Sequence, residues 1–583
     1  MDAETKTYEG VALAEGIAIG KARLVDTAHL PTRAPRYEIG ADHVHREIER
    51  LHAACTAARK DLEALAERAA AHLGRSGAEM MRAQALMVDD PAFLADVEVL
   101  VAEKHLNAEA AVADVIGQFE GLVASLDDPY LRERSTDIRD AGRRILGRLL
   151  FVSGQVAQTL AEPAVVVADH LVPSLTVHLD RGKVLGLAGE HGGYTSHAAI
   201  LARSLGVPAV SGLEGLSEEV LDGEVLILDG FRGIAIARPS PEQVEAYEQQ
   251  AAQVRTGRLT IISHAAEPAV TRDGCRIAVL ANVGGLEEVE LAREYRADGI
   301  GLYRTEVDYL SGSSLPSEDH LAEEYRQAAE TFGEAGVVFR VLDIGGDKFP
   351  PSVPLAHEDN PFIGLRGLRL LLEHVEDLML PQLRAIVRAS VGGRVCVMYP
   401  MIASLADFQA ACDVFQRALR EATAAGHPVA RPIAEGAMIE VPSCVPMLPE
   451  LMEMSDFASV GTNDLVQYLL AADRNSERMA AAYDSFHPAV IRTLATIQRA
   501  ADTKDISVCG EVASDACFLP LLIGLGYAKV SVNVGAVPRV KEAVRGLSRE
   551  ACGRLAERVL QASTALEVRT AAQEFVASQT ESS

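Results

Sequence analysis

No two of the eight cysteines are spaced Cys-x-x-Cys; they stand at positions 55, 275, 396, 412, 444, 509, 517 and 552. That leaves no pattern for a zinc ribbon or a thioredoxin-type dithiol. No apolar run approaches the roughly 20 residues of a membrane-spanning helix. The first ten residues, MDAETKTYEG, have neither the basic nor the apolar region of a secretion signal. These absences lead to the expectation of a cytoplasmic protein with reduced thiols. Basic residues are also in short supply: 55 Lys and Arg face 83 Asp and Glu, a formal net charge of −28. This speaks against nucleic acid or an anionic membrane as partner, although excess acid also serves solubility alone.

The chain has 583 residues, 48% of them hydrophobic and 24% charged. That is ordinary for a globular protein but too long for one core, so about two to four domains are expected. Two short β-type runs occupy residues 8–25. Val44, Ile48, Leu51, Cys55, Ala58, Leu62, Leu65 and Ala69 then alternate steps of four and three, drawing one apolar stripe along a long helix. Ser76 with Glu79 makes a capping-box pattern for a second helix. Stretches from about Ala108 to Leu126 and from Pro129 to Phe151 complete an expected antiparallel four-helix bundle. From Ala164 the pattern changes to short β runs at Val165–Val167, Val184–Leu185, Val225–Leu228 and Ile234–Ile236. The early strands need such a sheet to pair with, which implies a discontinuous α/β domain carrying the bundle as an insertion. A helical connector follows from Pro239 to about Thr256. Eight further β runs then alternate with amphipathic stretches, at 277–281, 299–303, 337–342, 394–399, 437–441, 457–460, 506–508 and 529–532. Eight βα units over this length fit a (β/α)₈ TIM barrel. An open doubly wound sheet is the alternative, but no GxGxxG follows any of these runs.

Two places carry chemistry. Gly192-Gly-Tyr-Thr-Ser-His197 precedes the helical stretch Ala198–Leu205. At a helix N-terminus, free N–H groups and the dipole favour an anion, and a neutral imidazole there can accept a phosphoryl group. The segment alone reads more simply as a helix cap beside a bystander histidine. The second place is the C-terminal end of the barrel strands, where such folds keep their active sites. Arg304-Thr-Glu306, Arg340 with Asp343-Ile-Gly-Gly-Asp-Lys348, Glu440, Gly461-Thr-Asn-Asp464, Cys509-Gly-Glu511 and Asn533 all stand there. Glu440 and Asp464 offer two carboxylates from adjacent strands for a hard divalent cation. Arginines on the second and third strands, with Arg474 nearby, can clamp a phosphate. Each residue has a plain structural explanation, and Cys509 fits ordinary core. Collected on one face, they describe a pocket for a small, multiply anionic substrate.

The chain resembles enzyme I of the phosphoenolpyruvate-dependent sugar phosphotransferase system over nearly its whole length. The matching strings are GGYTSHAAILARSLGVPAV, GIGLYRTE, DIGGDK, NPFIGLRGLR, QLRAIVRAS, SVGTNDLVQYLLAADR, HPAV and CGEVASD. The resemblance implies a swivelling phosphohistidine α/β domain from residues 1–30 and 155–238. It implies a four-helix bundle at 38–154 that binds the phosphocarrier protein HPr, and a linker at 239–262. It also implies a phosphoenolpyruvate-binding barrel at 263–575 through which the chain forms a homodimer. By the same resemblance His197 carries the phosphoryl group, and Cys509 is the acid that protonates the enolate. Arg304, Arg340, Arg366, Asn463, Asp464 and Arg474 bind phosphoenolpyruvate, and Glu440 and Asp464 hold Mg²⁺. Two departures from the family pattern stand out: Glu190-His191 before the paired glycines, and Ser531-Val-Asn533 where the family has Ser-Met-Ser. The alternatives are a nitrogen-related paralogue lacking its sensor domain, or a regulatory protein that binds phosphoenolpyruvate without turning it over. A Mg²⁺-dependent lyase barrel leaves the first 260 residues without a role. Pyruvate phosphate dikinase and phosphoenolpyruvate synthase share these motifs but need an ATP-grasp domain, for which residues 26–160 are too short.

Overall fold

The computed structural model describes residues 5–24, 35–40, 42–72, 85, 87–88, 90–124, 141–142, 144–150, 160, 162–170, 182–310, 315–345, 360–430, 432–474, 479, 482–501 and 504–580, less 192–206. Two compact units divide the chain, residues 1–257 and 258–583. It is an α/β multidomain architecture.

The first unit is built on an eight-stranded sheet. Its strands are β1 (Lys6–Glu9), β2 (Val11–Ala14), β3 (Ile17–Leu24), β4 (Ala164–His170), β5 (Val184–His191), β6 (Ala209–Ser211), β7 (Val225–Asp229) and β8 (Ile234–Ala237). The order across the sheet is β1-β8-β7-β3-β4-β5-β6-β2. β3, β4, β5 and β6 run parallel, while β2, β7 and the β1–β8 pair are antiparallel to their neighbours. β3 and β4 are direct neighbours although residues 25–163 separate them in sequence. Val165, Val167, Ala188, Val210, Leu226 and Leu228 form the sheet's buried face.

A second core in this unit belongs to the helices Val44–His72, Pro91–Lys104 and Ala108–Ala124. Of the expected stripe, Leu51, Cys55, Ala58 and Leu62 are buried against Val97, Val101, Val112, Val115, Ile145 and Leu149, and Val44 and Ile48 are partly buried beside them. Arg50 ties this cluster together by donating to Glu47 at 2.6 Å and to Glu109 at 2.5 Å. The proposed helix start at Ser76 and Glu79 lies outside the described residues. The connector is a continuous helix, Pro241–His264, whose first turn is organised by a reciprocal pair of bonds between Ser240 and Gln243.

The second unit is a closed barrel of eight parallel strands, as the sequence led us to expect. The strands are β9 (Ala278–Val283), β10 (Ile300–Arg304), β11 (Val337–Arg340), β12 (Val395–Tyr399), β13 (Ala434–Ile439), β14 (Phe457–Val460), β15 (Asp505–Val508) and β16 (Lys529–Asn533). β16 closes on β9, with Ser531 opposite Leu280 and Asn533 opposite Asn282. Alternate residues point outward into one large core shared with the helices, including Val279, Tyr303, Phe339, Val397, Ile439, Val460, Val508 and Val532. The inward set is smaller and divided. Leu302, Met398, Met438 and Cys509 cluster with Val338 and Phe457, while Ser459, Ser507, Ser531 and Asn282 make a polar wall. β10 shifts register between Ile300 and Leu302. Gly301 lies at this irregularity, and a Cβ there would come 2.5 Å from Ser531 Oγ. Only glycine fits, and the bulge re-aims the end of the strand that carries Arg304.

Candidate active site

Strand ends β10, β11, β13, β14 and β15 bring most of the residues named from the sequence to one end of the barrel. Arg340, last in β11, is buried and donates Nη2 to Glu306 Oε1 at 2.7 Å, while its Nη1 lies 3.2 Å from Asp343 Oδ2. Its Nε–H is also buried and, among the described residues, has no hydrogen-bond partner. An unpaired buried donor on a guanidinium is costly to keep, so this atom marks where an acceptor belongs. Arg304 is its register partner on β10 and half-buried. Thr305 donates to the Arg340 carbonyl at 3.0 Å, and Gln382 donates to Thr305 Oγ1 at 2.9 Å, locking the two strand ends together.

Arg366 enters from the turn after the 3₁₀ segment Pro361–Ile363. It donates to both oxygens of Asp343, at 3.1 and 3.0 Å, and to both oxygens of Asp464, at 3.0 and 3.1 Å. A buried guanidinium between two carboxylates is the paired arrangement that burial of charge demands. Arg474 lies 3.9 Å from Asp464 on its more exposed side. Asn463 does not turn toward the arginines. Its side chain bonds Glu511 twice, accepting from the Glu511 N–H at 3.1 Å and donating to the carboxylate at 3.3 Å, which ties the β14 and β15 loops together.

Glu440 follows β13 and is fully buried. Met401 N–H donates to its Oε1 at 2.6 Å. Its Oε2 faces β14, where a Cβ on Gly461 would come within 2.7 Å of it. Burial, with Asp464 and Asp343 as like charges, pushes its pKa up to about 8 against the opposing pull of Arg340 and Arg366. A set of crowded carboxylate oxygens whose charge is unfavourable without a cation fits a hard divalent ion held by Glu440 and Asp464.

Cys509 follows β15 and is buried. Its N–H donates to the Val460 carbonyl at 3.0 Å, with the sulfur 3.5 Å from the same oxygen. Burial raises the thiol pKa; a hydrogen bond from Ser459 and the charges of Arg340 and Arg304 oppose the rise, and Glu440 adds to it. The thiol therefore stays protonated at neutral pH and can act as an acid.

His197 lies outside the described residues. β5, which leads into its segment, ends at His191. Glu190 accepts from the Ser217 N–H at 2.5 Å, so one residue of the Glu190-His191 departure caps the short helix Leu216–Glu219. Asn533 is exposed.

Three models of PEP-utilising enzymes match the chain: the N-terminal domain at residues 9–134, the mobile domain at 160–233 and the PEP-binding domain at 261–549. The phosphoenolpyruvate-protein phosphotransferase of Geobacillus stearothermophilus is 38% identical over 565 residues, 97% of each chain. The chain belongs to the phosphoenolpyruvate-protein phosphotransferase family. Its counterparts in Priestia megaterium and Listeria monocytogenes are 36% and 35% identical, over 94% and 97% of this chain and 95% and 98% of theirs.

Within this family frame, two groups of residues had not been singled out from the sequence. Asn282 donates to the carbonyls of Cys509, at 3.0 Å, and Ser531, at 3.3 Å, and accepts from the Ser531 hydroxyl at 2.6 Å. It lies one residue past the expected end of its strand, and strand length was the signal that would have found it. Asn282→Ala leaves two buried carbonyls and a hydroxyl unpaired, an expected cost of about 1–3 kcal/mol. A lower thermal midpoint checks this; an unchanged one contradicts it. The second group is Asp308, His320 and Glu324, whose ligand atoms lie within 4.8 Å of one another. Tyr303, an outward-facing residue of β10, donates to Glu324 at 2.8 Å. This possible acidic metal site lies outside the barrel wall, apart from Glu440 and Asp464.

Proposed function

We propose that this chain transfers the phosphoryl group of phosphoenolpyruvate to His197 and from there to a histidine of an HPr-type phosphocarrier, releasing pyruvate. The observation that carries the reading is Arg340: a buried guanidinium at the barrel mouth whose Nε–H has no partner among the described residues, beside Arg366 and the carboxylates Glu440 and Asp464. That is a site for a small anion and a cation together, in a chain of this family.

In this reading Arg304 and Arg340 hold the phosphate, with Arg366 and Arg474 completing the contacts, joined by Asn463 once its amide leaves Glu511. Mg²⁺, held by Glu440 and Asp464, would neutralise charge on the substrate. The arginines position phosphorus for in-line attack by a neutral imidazole. Loss of the phosphoryl group leaves the enolate of pyruvate, and the Cys509 thiol gives its proton to the methylene carbon. A protonated, buried thiol suits that step better than a carboxylate occupied with a cation. Asp343 and Glu306 hold the arginines rather than the substrate. We assign the α/β domain to residues 1–30 and 155–238, the carrier-binding bundle to 38–154, the linker to 239–262 and the barrel, with its dimer contact, to 263–575. Among the described residues no helix is long and apolar enough to cross a membrane, in keeping with a cytoplasmic enzyme.

The test is pyruvate formation from phosphoenolpyruvate with Mg²⁺, with and without an HPr-type carrier. One pyruvate per chain without carrier, and continuous turnover with it, is the expected pattern; carrier-independent turnover overturns it. Cys509 has its own assay. Cys509→Ala, folded and Mg²⁺-loaded, is expected to lose solvent deuterium exchange at the pyruvate methyl group. Water cannot readily remove a carbon-bound proton from bound pyruvate, so exchange has no bypass. A wild-type exchange rate returns Cys509 to the core.

A further inference from the structure

Arg304 and Arg340 stand opposite each other as the last register pair of β10 and β11, because β10 then turns into the helix Glu306–Leu310. The chain of β11 runs on past Arg340. The Val341 N–H donates to the Met398 carbonyl on β12 at 3.0 Å. Successive peptide groups of a strand point opposite ways, so the Arg340 carbonyl and the Leu342 N–H face the side that β10 has left. Buried backbone groups need partners, and two side chains supply them. The Thr305 hydroxyl donates to the Arg340 carbonyl at 3.0 Å. Gln382, in the first turn of the helix Leu380–Ala389, accepts from the Leu342 N–H at 2.9 Å through Oε1. Its Nε2 donates to Thr305 Oγ1 at 2.9 Å and to the Tyr325 hydroxyl at 3.4 Å. Thr305 and Gln382 are both fully buried. A flipped amide would set N–H against N–H at Leu342, so these bonds fix its orientation. The loop of bonds closes on the β11 chain: Leu342, Gln382, Thr305, Arg340.

We infer that Gln382 is a positioning residue for the phosphate clamp: through Leu342 and Thr305 it fixes how far apart the backbones of Arg304 and Arg340 stand, and so sets their fit to the phosphoryl group. The inference rests on the proposed role of these two arginines. Thr305 follows Arg304 directly and is bonded to Arg340 itself, so a shift of its hydroxyl moves the root of one guanidinium against the other. Glu306 and Asp343 hold the Arg340 side chain. They fix the tip of one arginine, not its distance from the other. Recognition of phosphate by two guanidinium forks depends on that distance, because a planar fork and a tetrahedral anion match in few geometries. Pyruvate carries a carboxylate and a carbonyl but no phosphoryl group, so its binding does not sense the clamp. The plain role for a buried glutamine is packing a helix on the barrel, and a packing defect weakens both ligands alike.

The experiment follows phosphorylation of an HPr-type carrier by the full chain with Mg²⁺. The half-saturating phosphoenolpyruvate concentration reads the clamp, and product inhibition by pyruvate reads the rest of the pocket in the same assay. Gln382→Met keeps the size of the side chain and removes the amide. It is expected to raise the phosphoenolpyruvate value about tenfold, the scale of a lost hydrogen bond to a charged group, and to leave the pyruvate inhibition constant unchanged. Thr305→Val, which breaks the loop from its other end, is expected to do the same. Thr305→Ser, which keeps the hydroxyl, is expected to restore the wild-type value. Gln382→Met with Thr305→Val should be no weaker than the weaker single variant, since both break one loop. Thr305→Val carries the test if Gln382→Met does not fold. Equal losses for both ligands overturn the inference, and so do multiplying losses in the double variant. So does a wild-type phosphoenolpyruvate value in folded Gln382→Met or Thr305→Val, or a folded Thr305→Ser as weak as Thr305→Val. A wild-type chain that phosphorylates no carrier removes the proposed function itself, a failure separate from these.

Discussion

Glu440→Gln and Asp464→Asn are each expected to lower pyruvate formation by about 10²–10³-fold, the loss typical of removing one preorganised electrostatic stabiliser. The two residues follow adjacent strands and influence each other as like charges, but they are held differently. Glu440 keeps one oxygen on the Met401 N–H and turns the other toward β14. Asp464 gives both oxygens to Arg366. The variants therefore separate in stability. Burial and two neighbouring carboxylates disfavour charge on Glu440, so Glu440→Gln without Mg²⁺ should melt no lower than wild type. Asp464→Asn leaves Arg366 with only Asp343 as a charged partner and should melt lower, because a half-broken buried pair is costly. For both, activity should rise with Mg²⁺ concentration beyond the point where wild type saturates. Wild-type turnover at every Mg²⁺ concentration in both variants would remove the cation from this site.

His197→Ala is expected to abolish self-phosphorylation and pyruvate formation outright, a larger effect than any single barrel variant. No other group in the proposed reaction can accept the phosphoryl. Phosphoenolpyruvate binding should persist, since the arginines lie in the second unit and His197 in the first. A calorimetric titration of the variant with phosphoenolpyruvate and Mg²⁺ tests the separation. Binding lost together with phosphorylation would mean that the histidine segment builds part of the substrate pocket. A wild-type label in His197→Ala, carried on His191 or His178, would move the acceptor.

The barrel was legible because eight short, largely apolar runs recur along the second half of the chain, and amphipathic helical stretches lie between them. Arg304, Arg340, Glu440, Asp464 and Cys509 were legible for the same reason: reactive side chains at strand ends are conspicuous against β-branched residues. What stayed hidden depends on register and on long-range pairing. Ser459 and Ser507 look like spacers in their own strands and meet only because β14 and β15 align them. Arg366 joins Asp343 to Asp464 across 121 residues of sequence, a link that no local pattern encodes. Asn463 stands in a substrate motif yet holds Glu511, because two loops that end adjacent strands need a mutual anchor. β6, three residues long, lacks enough alternation to be read as a strand and is defined by its pairing with β2 and β5.

The most direct measurement follows the phosphorus itself. The full chain is incubated with Mg²⁺ and phosphoenolpyruvate labelled in the phosphoryl group, the modified residue is mapped, and an HPr-type carrier is then added. The account predicts one label per chain on His197, one pyruvate released for each label, and passage of the label to a histidine of the carrier. Pyruvate release with label only as free phosphate, or a stable label on any residue other than His197, would contradict it.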